Sequence, residues 1–235
     1  MSLKTRKRKD LEMLFDFEFP NTIKGDVLDN FLSRGWFRIG SMVYTVDHAV
    51  FEKKLYPVYW LRYNVKRINL CRKNIKLISA NSSFEISCRP LELTSEIEQL
   101  FEKYRSGVKF KLPAGLDTIL SDASCTTFES RLMTVRDNGR LIAAGIFDVG
   151  TSAMEDVINF YDPAYKRYSL GKLLMLRKYQ FCLENGYDYY YPGYYLPGQE
   201  VMSYKLFLDK AATEVYLRDG GIWISHRQFE TTVIK

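Results

Sequence analysis

The sequence predicts a mixed α+β protein built as two tandem halves, each a mostly antiparallel sheet flanked by helices. One supporting observation is that short segments rich in β-branched and aromatic residues alternate with segments of helical periodicity. The other is charge: residues 1–115 carry 21 of the 34 Lys and Arg residues but only 13 of the 28 Asp and Glu residues. We therefore divide the chain into a disordered basic tail (1–10), a basic N-terminal half (11–115) and a C-terminal half (116–235).

Glycine and proline residues mark the ends of the predicted helices and strands in the first half. Gly35 ends a short amphipathic helix, and Gly107 ends a longer helix in which Ser95 and Glu98 have the spacing of a capping box. Pro90 closes a short strand. The predicted elements are a helix over 26–34, strands over 36–45 and 56–65, a helix over 69–79, a strand over 84–88 and a helix over 94–106.

The second half begins with a hairpin, because Asn138-Gly139 between two apolar runs is a strong signal for a two-residue turn. Ser169 is a good N-cap for the long helix that follows, and Asn185-Gly186 is a suitable end for it. The predicted elements are strands over 128–135, 141–149 and 156–161, a helix from 170 to 184, and strands over 187–191, 213–218 and 222–225.

The stretch from Asn159 to Lys205 is the most informative part of the chain. It contains Asn-Phe-Tyr-Asp-Pro (159–163), a basic loop leading into Ser-Leu-Gly (169–171), an aromatic Gly-Tyr-Tyr (193–195) and Met-Ser-Tyr-Lys (202–205). A basic loop before a helix places unpaired N–H groups and the positive end of the helix dipole together. Such a site suits an anion or an ester carbonyl group.

These motifs resemble, in order and spacing, the C-terminal half of the aminoacyl-tRNA–protein transferases, which include arginyl-transferring enzymes and bacterial leucyl-transferring relatives. A segment from Gly35 to Tyr44 resembles the entry segment of the same family more loosely, so that the similar regions span roughly residues 30–210. The order of hairpin, strand, basic loop, helix and strand is also that of the GNAT acyltransferase superfamily. The loop before the helix contains one glycine, Gly171, where acetyl-CoA binders usually have two.

The resemblance implies a cytoplasmic GNAT-like enzyme that moves Arg or Leu from aminoacyl-tRNA to the N-terminus of a protein whose first residue is acidic or oxidised. Aminoacyl-tRNA is then a co-substrate, and we expect no cofactor. For transfer, the enzyme must hold the acceptor amine next to the ester, stabilise the oxyanion and transfer one proton. Tyrosine hydroxyls and a lysine are sufficient for these tasks. The expected catalytic residues are Tyr161, Tyr204 and Lys205, and the expected substrate-binding residues are Asp162, Arg167, Ser169, Gly171, Tyr194 and Tyr195.

We also expect Arg131 to bind the acidic side chain of the acceptor, because the planar guanidinium group pairs with a carboxylate through two hydrogen bonds. Its apolar neighbours Leu132 and Met133 would be unusual for a solvated arginine. The alternative is that Arg131 points outward from an alternating strand. The sequence leaves both orientations open.

A basic and aromatic stretch in the first half is the candidate tRNA-binding surface. Residues 53–84 contain eight basic residues and no acidic one, with Tyr and Trp residues interspersed. Cations neutralise phosphates and rings stack on unpaired bases, although a strand with a solvated basic face would show the same pattern. The candidate residues are Lys53, Lys54, Arg62, Lys66, Arg67, Arg72, Lys73 and Lys76.

The sequence offers few residues for a catalytic triad, a metal site or a disulfide framework. His48 and His226 have no partners at the spacing of a catalytic triad or a metal site, so we expect no metal. The four cysteines are expected to be buried free thiols, and the cysteine cluster that many family members carry in the first half is missing. No apolar run is long enough to span a membrane. The alternatives are an acetyl-CoA-dependent N-acyltransferase and a non-catalytic RNA-binding relative.

Overall fold

The computed structural model describes residues 15–108, 112–120 and 127–233, so the predicted basic tail (1–10) lies outside the described residues. The described residues form thirteen strands. They are β1 (Phe15–Glu18), β2 (Phe37–Ile39), β3 (Met42–Val46), β4 (His48–Phe51), β5 (Lys54–Pro57), β6 (Tyr59–Asn64), β7 (Glu85–Pro90), β8 (Ser130–Asp137), β9 (Arg140–Val149), β10 (Ala153–Tyr161), β11 (Tyr189–Tyr195), β12 (Thr213–Leu217) and β13 (Ile222–Ser225).

Helices cover the strands on both faces. They are α1 (Asp26–Ser33), α2 (Arg72–Ala80), α3 (Ser95–Gly107), α4 (Leu116–Leu120), α5 (Leu170–Glu184) and α6 (His226–Thr232), with short 3₁₀ turns at Val65–Arg67, Pro163–Tyr168, Glu200–Leu206 and Arg218–Gly220. Within the described ranges, no helix is both long and apolar enough to cross a membrane.

Eight strands form one sheet in the order β13-β12-β6-β11-β10-β9-β8-β7. All neighbouring pairs in it are antiparallel except β10 and β11. The remaining strands form a three-stranded sheet, β1-β3-β2, and the β4–β5 hairpin. The predicted α+β class, with mostly antiparallel sheet flanked by helices, is confirmed. Strands β6 and β7 precede the predicted boundary at residue 115 and lie in the same sheet as the strands that follow it.

Helix α5 packs across the centre of the sheet and forms the largest core cluster with it. Leu170, Leu173, Leu174 and Leu176 are completely buried there. Burying a leucine side chain contributes about 1.5–3 kcal/mol. This packing fixes the start of α5 against the ends of β10 and β11, where the candidate site lies.

Three local predictions are corrected by the structure. The strand predicted over 36–45 is the β2–β3 hairpin, because Gly40 adopts a positive φ of 62° and turns the chain. The strand predicted over 56–65 is divided between β5 and β6. The cap of α3 is Thr94 without a side-chain hydrogen bond, so Ser95 and Glu98 form no capping box.

Ser169 and the cysteines also differ from prediction. Ser169 precedes α5 in the left-handed conformation (φ 53°, ψ 44°), and its side chain makes no capping hydrogen bond. Cys182 is buried, whereas Cys71 and Cys88 are exposed free thiols. Cys125 lies outside the described residues. The predicted turn at Asn138-Gly139 is confirmed, because both residues have positive φ (48° and 80°), as a type I′ hairpin requires.

Candidate active site

The site is a gap that opens where β10 and β11 part. The two strands pair in parallel over only three residues, ending at Glu155 and Tyr191. Beyond that point β10 stays with β9 as far as Tyr161, while β11 pairs with β6. Both strands have a register shift where they separate, and in β10 it lies between Asp156 and Ile158. Such bulges bend a strand and change the direction of its side chains. The resulting cavity has a volume of about 1110 Å³.

The start of α5 forms a polar and basic wall of this cavity. Ser169, Gly171 and Lys172 line it together with Lys166 from the preceding 3₁₀ turn. The unpaired N–H groups of the first helical turn carry a partial positive charge, to which the two lysines add full charges. This wall can hold phosphate groups or a developing oxyanion.

Lys205 reaches the gap from the 3₁₀ turn Glu200–Leu206. Its Nζ donates a hydrogen bond to the Tyr194 carbonyl oxygen (2.9 Å) and lies 4.9 Å from the centre of the Tyr194 ring. Burial lowers the pKa of Lys205 to about 8, and the nearby Asp156 carboxylate partly opposes this change. Lys205 is therefore mostly protonated at neutral pH, yet can give up its proton readily.

Gly193 makes room for this lysine. Its φ of +90° is unfavourable for other residues, and a Cβ atom there would lie 3.0 Å from Lys205 Nζ. The glycine of the Gly-Tyr-Tyr motif therefore leaves space for the Lys205 ammonium group.

Three tyrosines form the rim next to the basic wall. The rings of Tyr104 and Tyr161 lie 5.1 Å apart, and Tyr204 is 45% exposed at the mouth. Burial raises the pKa of Tyr104 to about 12, with a smaller contribution from Tyr161. A phenol that stays protonated is a hydrogen-bond donor throughout the physiological pH range.

A buried polar network supports the floor of the cavity. Lys178 is fully buried, and its Nζ donates to Asp156 Oδ1 (2.5 Å) and Asn159 Oδ1 (2.9 Å). Asp156 Oδ2 accepts hydrogen bonds from Asn159 Nδ2 (2.7 Å) and the Tyr190 hydroxyl (2.8 Å). Burial lowers the pKa of Lys178, although Asp156 acts in the opposite direction. The network holds Asp156 and Asn159 in fixed positions on the cavity wall.

The opposite end of the cavity is aromatic. Phe37 and Trp60 stack at 3.9 Å with an angle of 9°, and the rings of Tyr44 and Tyr194 pack edge-on against Trp60 at 5.6 and 5.5 Å. Glu155 is the carboxyl group of this end. Such walls suit an apolar side chain or a nucleobase.

Six of the ten residues predicted for catalysis and substrate binding line this cavity. They are Tyr161, Ser169, Gly171, Tyr194, Tyr204 and Lys205. The motifs that predicted them are separated by up to 44 positions in the sequence, and the parting of β10 and β11 brings them together.

The other four predicted residues lie elsewhere. Asp162 is buried and accepts hydrogen bonds from Lys103 (2.7 Å), Arg140 (2.7 Å) and the Ala164 N–H (3.0 Å), so it caps the 3₁₀ turn that follows. Although burial opposes ionisation, these partners lower the pKa of Asp162. Arg131 lies on β8, which β9 separates from the cavity strand β10, and its guanidinium group pairs with Glu129 (3.0 Å).

Arg167 and Tyr195 are also directed away from the cavity. Arg167 donates to the hydroxyl of its neighbour Tyr168 (2.7 Å). Tyr195 follows Tyr194 on β11 and therefore faces the other side of the sheet, where it packs with Phe229 and Leu61. Neither residue lines the cavity.

The eight predicted tRNA-binding residues do not form one patch. Lys53 and Lys54 lie at the tip of the β4–β5 hairpin, next to cavity residues Val50, Phe51 and Glu52. Arg62 is stacked on the rings of Tyr189 and Trp223 and paired with Glu214 (2.7 Å). Lys66 pairs with Asp188 (2.6 Å). Arg67, Arg72, Lys73 and Lys76 are exposed in the Val65–Arg67 turn and on α2.

Sequence reasoning did not single out several cavity residues. Lys166 and Lys172 were within reach, because they lie in the basic loop already singled out as an anion site. Glu155 and Asp156 had no motif of their own, and their role depends on where β10 leaves β11. In the part of the chain that the structure describes, no three His, Cys, Asp or Glu side chains are grouped as a metal site would require.

Comparison with known proteins identifies the family. The family model "Arginine-tRNA-protein transferase, C terminus" matches residues 96–212, about half of the chain, which includes the motifs between Asn159 and Lys205. The chain belongs to the aminoacyl-tRNA–protein transferase family. It is therefore an acyltransferase whose acyl donor is an aminoacyl-tRNA.

Two curated relatives of this transferase share most of its length. An aspartate/glutamate leucyltransferase of Leptospira interrogans is 27% identical over 220 residues, which is 91% of this chain and 84% of the relative. An aspartate/glutamate leucyltransferase of Campylobacter jejuni is 23% identical over 208 residues, or 84% of this chain and 83% of the relative.

Among solved structures, the transferase is similar to a putative acetyltransferase from the GNAT family of Novosphingobium aromaticivorans. The TM-score is 0.42 and the sequence identity 11%, over 67% of this chain. This chain spans 59% of that protein.

Proposed function

We propose that the transferase moves a large apolar amino acid such as leucine from its tRNA to the N-terminal α-amine of a protein that begins with Asp or Glu. The observation that carries this proposal is the cavity between β10 and β11, with one basic wall and one aromatic end. The names of the curated relatives support the acidic acceptor. The apolar end, which contains Phe37, Tyr44 and Trp60, supports an apolar side chain over that of arginine.

The basic wall takes the end of the tRNA in this proposal. The terminal phosphates lie against Lys166, Lys172 and the first turn of α5, and the ester carbonyl group lies near Lys205. No cofactor takes part, because the ester is already activated. The acceptor amine, with an ordinary pKa near 8, is sufficiently nucleophilic once it loses its proton.

The reaction is an acyl exchange at one carbonyl carbon. The neutral acceptor amine attacks that carbon, a C–N bond forms, and the negative charge on the tetrahedral oxygen is stabilised by the Lys205 ammonium group. The C–O ester bond then breaks, and the ribose oxygen leaves with a proton from Lys205. The proton released by the amine restores the Lys205 ammonium, so that protons balance over the cycle.

A direct transfer assay tests the proposal. Labelled leucyl-tRNA and arginyl-tRNA are each offered with peptides that begin with Asp, Glu or Ala. We expect leucine to appear on the Asp and Glu peptides. Transfer of arginine instead would change the donor, acetyl transfer from acetyl-CoA would change the enzyme class, and tRNA binding without any transfer would indicate a non-catalytic relative.

The salt dependence of binding tests the basic wall. We expect Lys166→Gln and Lys172→Gln each to weaken binding of charged tRNA and to reduce the slope of log affinity against log salt by about 0.7–0.9. The matched control is Lys210→Gln, because Lys210 is exposed and paired with Glu230 on α6. Slopes measured by filter binding that match the wild type in both wall variants would contradict phosphate binding at this wall.

Gly171 provides a test that separates substrate fit from folding. An added Cβ atom would meet only Tyr161, at an ordinary contact distance of 3.8 Å. Gly171→Ala should therefore leave the melting temperature unchanged or raise it, since alanine favours a helix by up to about 1 kcal/mol. Because the methyl group enters the cavity beside the first turn, we expect KM for charged tRNA to rise several-fold. A stable variant with wild-type KM would show that no substrate group approaches Gly171.

A further inference from the structure

Glu155 is a buried carboxyl group that lines the cavity, and one of its oxygens has no hydrogen-bond partner. It is 3% exposed and lines the aromatic end, at the last paired position of β10 and β11. Its Oε1 accepts a hydrogen bond from the backbone N–H of Arg38 (2.8 Å), and its Oε2 has no partner. A buried polar atom without a partner costs about 1–3 kcal/mol unless a ligand satisfies it.

The fold holds this carboxyl group firmly in place. The side chain of Arg38 is fully buried, pairs with Asp148 (2.9 Å) and lies 4.3 Å from the Phe128 ring. These contacts fix the backbone of β2, whose N–H fixes Glu155. Burial and the nearby carboxyl groups of Asp148 and Asp156 raise the pKa of Glu155, although Arg38 acts in the opposite direction. The arrangement suits a small cation that can also donate hydrogen bonds.

The other carboxyl groups that line the cavity are not free for this purpose. Asp156 has both oxygens engaged with Lys178, Asn159 and Tyr190. Glu52 is exposed at the tip of the β4–β5 hairpin. Of the described carboxyl groups lining the cavity, Glu155 alone is enclosed and has an oxygen without a partner.

Resting on the proposed function, we infer that Glu155 binds the α-ammonium group of the amino acid carried by the tRNA. Both substrates of the reaction carry an α-amino group, but they need opposite protonation states. A carboxylate beside an ammonium group stabilises the charged form. That would hinder the acceptor, whose amine must become neutral, whereas the donor amine must stay protonated and unreactive.

The rings around Glu155 fit the same ligand. Tyr44, Trp60 and Tyr194 line this end of the cavity, where they offer an apolar surface to a side chain. With the α-ammonium group at Glu155, an apolar side chain lies among the rings. Burial, and next the neighbouring Asp148, raise the pKa of Glu155, whereas Arg38 acts in the opposite direction. A cation bound beside Glu155 favours its ionised form. The pocket thus distinguishes aminoacyl-tRNA from tRNA whose α-amino group is missing or blocked.

The test compares two donors of the same shape without any acceptor present. One is leucyl-tRNA, and the other is 2-hydroxy-4-methylpentanoyl-tRNA, in which a hydroxyl replaces the α-ammonium group without added bulk. Wild-type protein should bind leucyl-tRNA at least about 10-fold more tightly, as expected for a charge-assisted hydrogen bond in a buried site. Glu155→Gln should reduce this ratio to about twofold, because the amide loses the charge.

Glu155→Gln is suitable because its Oε1 can still accept from Arg38 while its NH₂ group takes the place of the free oxygen. Its melting temperature and circular dichroism should match the wild type. Glu52→Gln is the control, and it should keep the wild-type ratio. The inference is overturned if wild type binds both donors equally, if Glu155→Gln keeps the wild-type ratio, or if it weakens both donors alike.

Three further outcomes show which proposal has failed. If Glu155→Gln weakens arginyl-tRNA and leaves the leucyl-tRNA ratio unchanged, the group bound at Glu155 is a side-chain guanidinium and the inference is wrong. If wild type transfers leucine to an Asp peptide but does not discriminate between the two donors, the proposed function stands and this inference alone falls. If it neither binds nor transfers, the proposed function falls as well.

Discussion

Replacing Lys205 by Met should lower the rate of aminoacyl transfer by about 100-fold or more, because a group that stabilises the oxyanion and donates a proton is lost. Met preserves much of the volume of the side chain and leaves the Tyr194 carbonyl near the solvent-filled cavity. We therefore expect the protein to fold and the KM for charged tRNA to change much less than kcat. Single-turnover transfer with saturating enzyme measures the chemical step directly.

The matched control is Lys210→Met, which also removes an ammonium group but lies in an exposed pair with Glu230. It should transfer at the wild-type rate. If Lys205→Met transfers as fast as this control, the Met-Ser-Tyr-Lys motif serves structure and not chemistry.

The pH profile separates the acid role of Lys205 from other roles. With its pKa near 8, the ammonium form is present below pH 8 and is lost above it. The single-turnover rate should therefore rise as the acceptor amine loses its proton and fall again above about pH 8 as Lys205 does. Lys205→Arg keeps the charge but cannot release a proton, so we expect a slower enzyme without the falling limb. A wild-type rate that keeps rising would mean that neutral Lys205 accepts the proton instead.

Lys178→Met has the largest expected effect on stability. It leaves Asp156 buried without its cation, and breaking a buried pair in this way costs about 3–5 kcal/mol. Chemical denaturation should show this as a lower midpoint with an unchanged slope. Transfer should also decline, because Asp156 and Asn159 lose the partner that positions them on the cavity wall.

A compensating variant distinguishes an unpaired charge from simple loss of packing. Lys178→Met combined with Asp156→Asn removes both charges, so it should recover part of the lost stability. Lys210→Met should cost less than about 1 kcal/mol, as exposed pairs do. A double variant no more stable than Lys178→Met would show that the buried charge on Asp156 is not the cause.

The sequence predicted much of the fold because its turns are strongly encoded. Asn138-Gly139 gave the β8–β9 hairpin, and the periodic leucines after Ser169 gave α5. The sequence did not predict that 36–45 is divided into two strands, because a glycine such as Gly40 between aromatic residues is equally compatible with the interior of one strand. Nor could it show that β6 inserts between β11 and β12, since pairing between distant segments depends on the whole sheet.

For the site, the motifs indicated six residues that line the gap and four that strand alternation or local partners place elsewhere. Tyr194 and Tyr195 are equivalent in sequence, yet strand geometry places them on opposite faces. Asp162 precedes a proline, and its carboxylate pairs with Lys103 and Arg140, which are distant in the sequence. Glu155 could not be predicted, because its importance comes from an oxygen left without a partner in three dimensions.

The insertion of β6 has a consequence for how the protein is made. On the ribosome, β6 emerges early, but its neighbour β11 begins 125 residues after Asn64, at Tyr189, and β12 follows at Thr213. At ordinary synthesis rates this interval lasts roughly 6–25 seconds, during which both edges of β6 lack their final partners. Leu61 and Tyr63 point to the same side of β6, and their partners Val215, Phe229 and Tyr190 belong to the last quarter of the chain. The centre of the sheet therefore closes late in synthesis, and β6 depends on shielding until then.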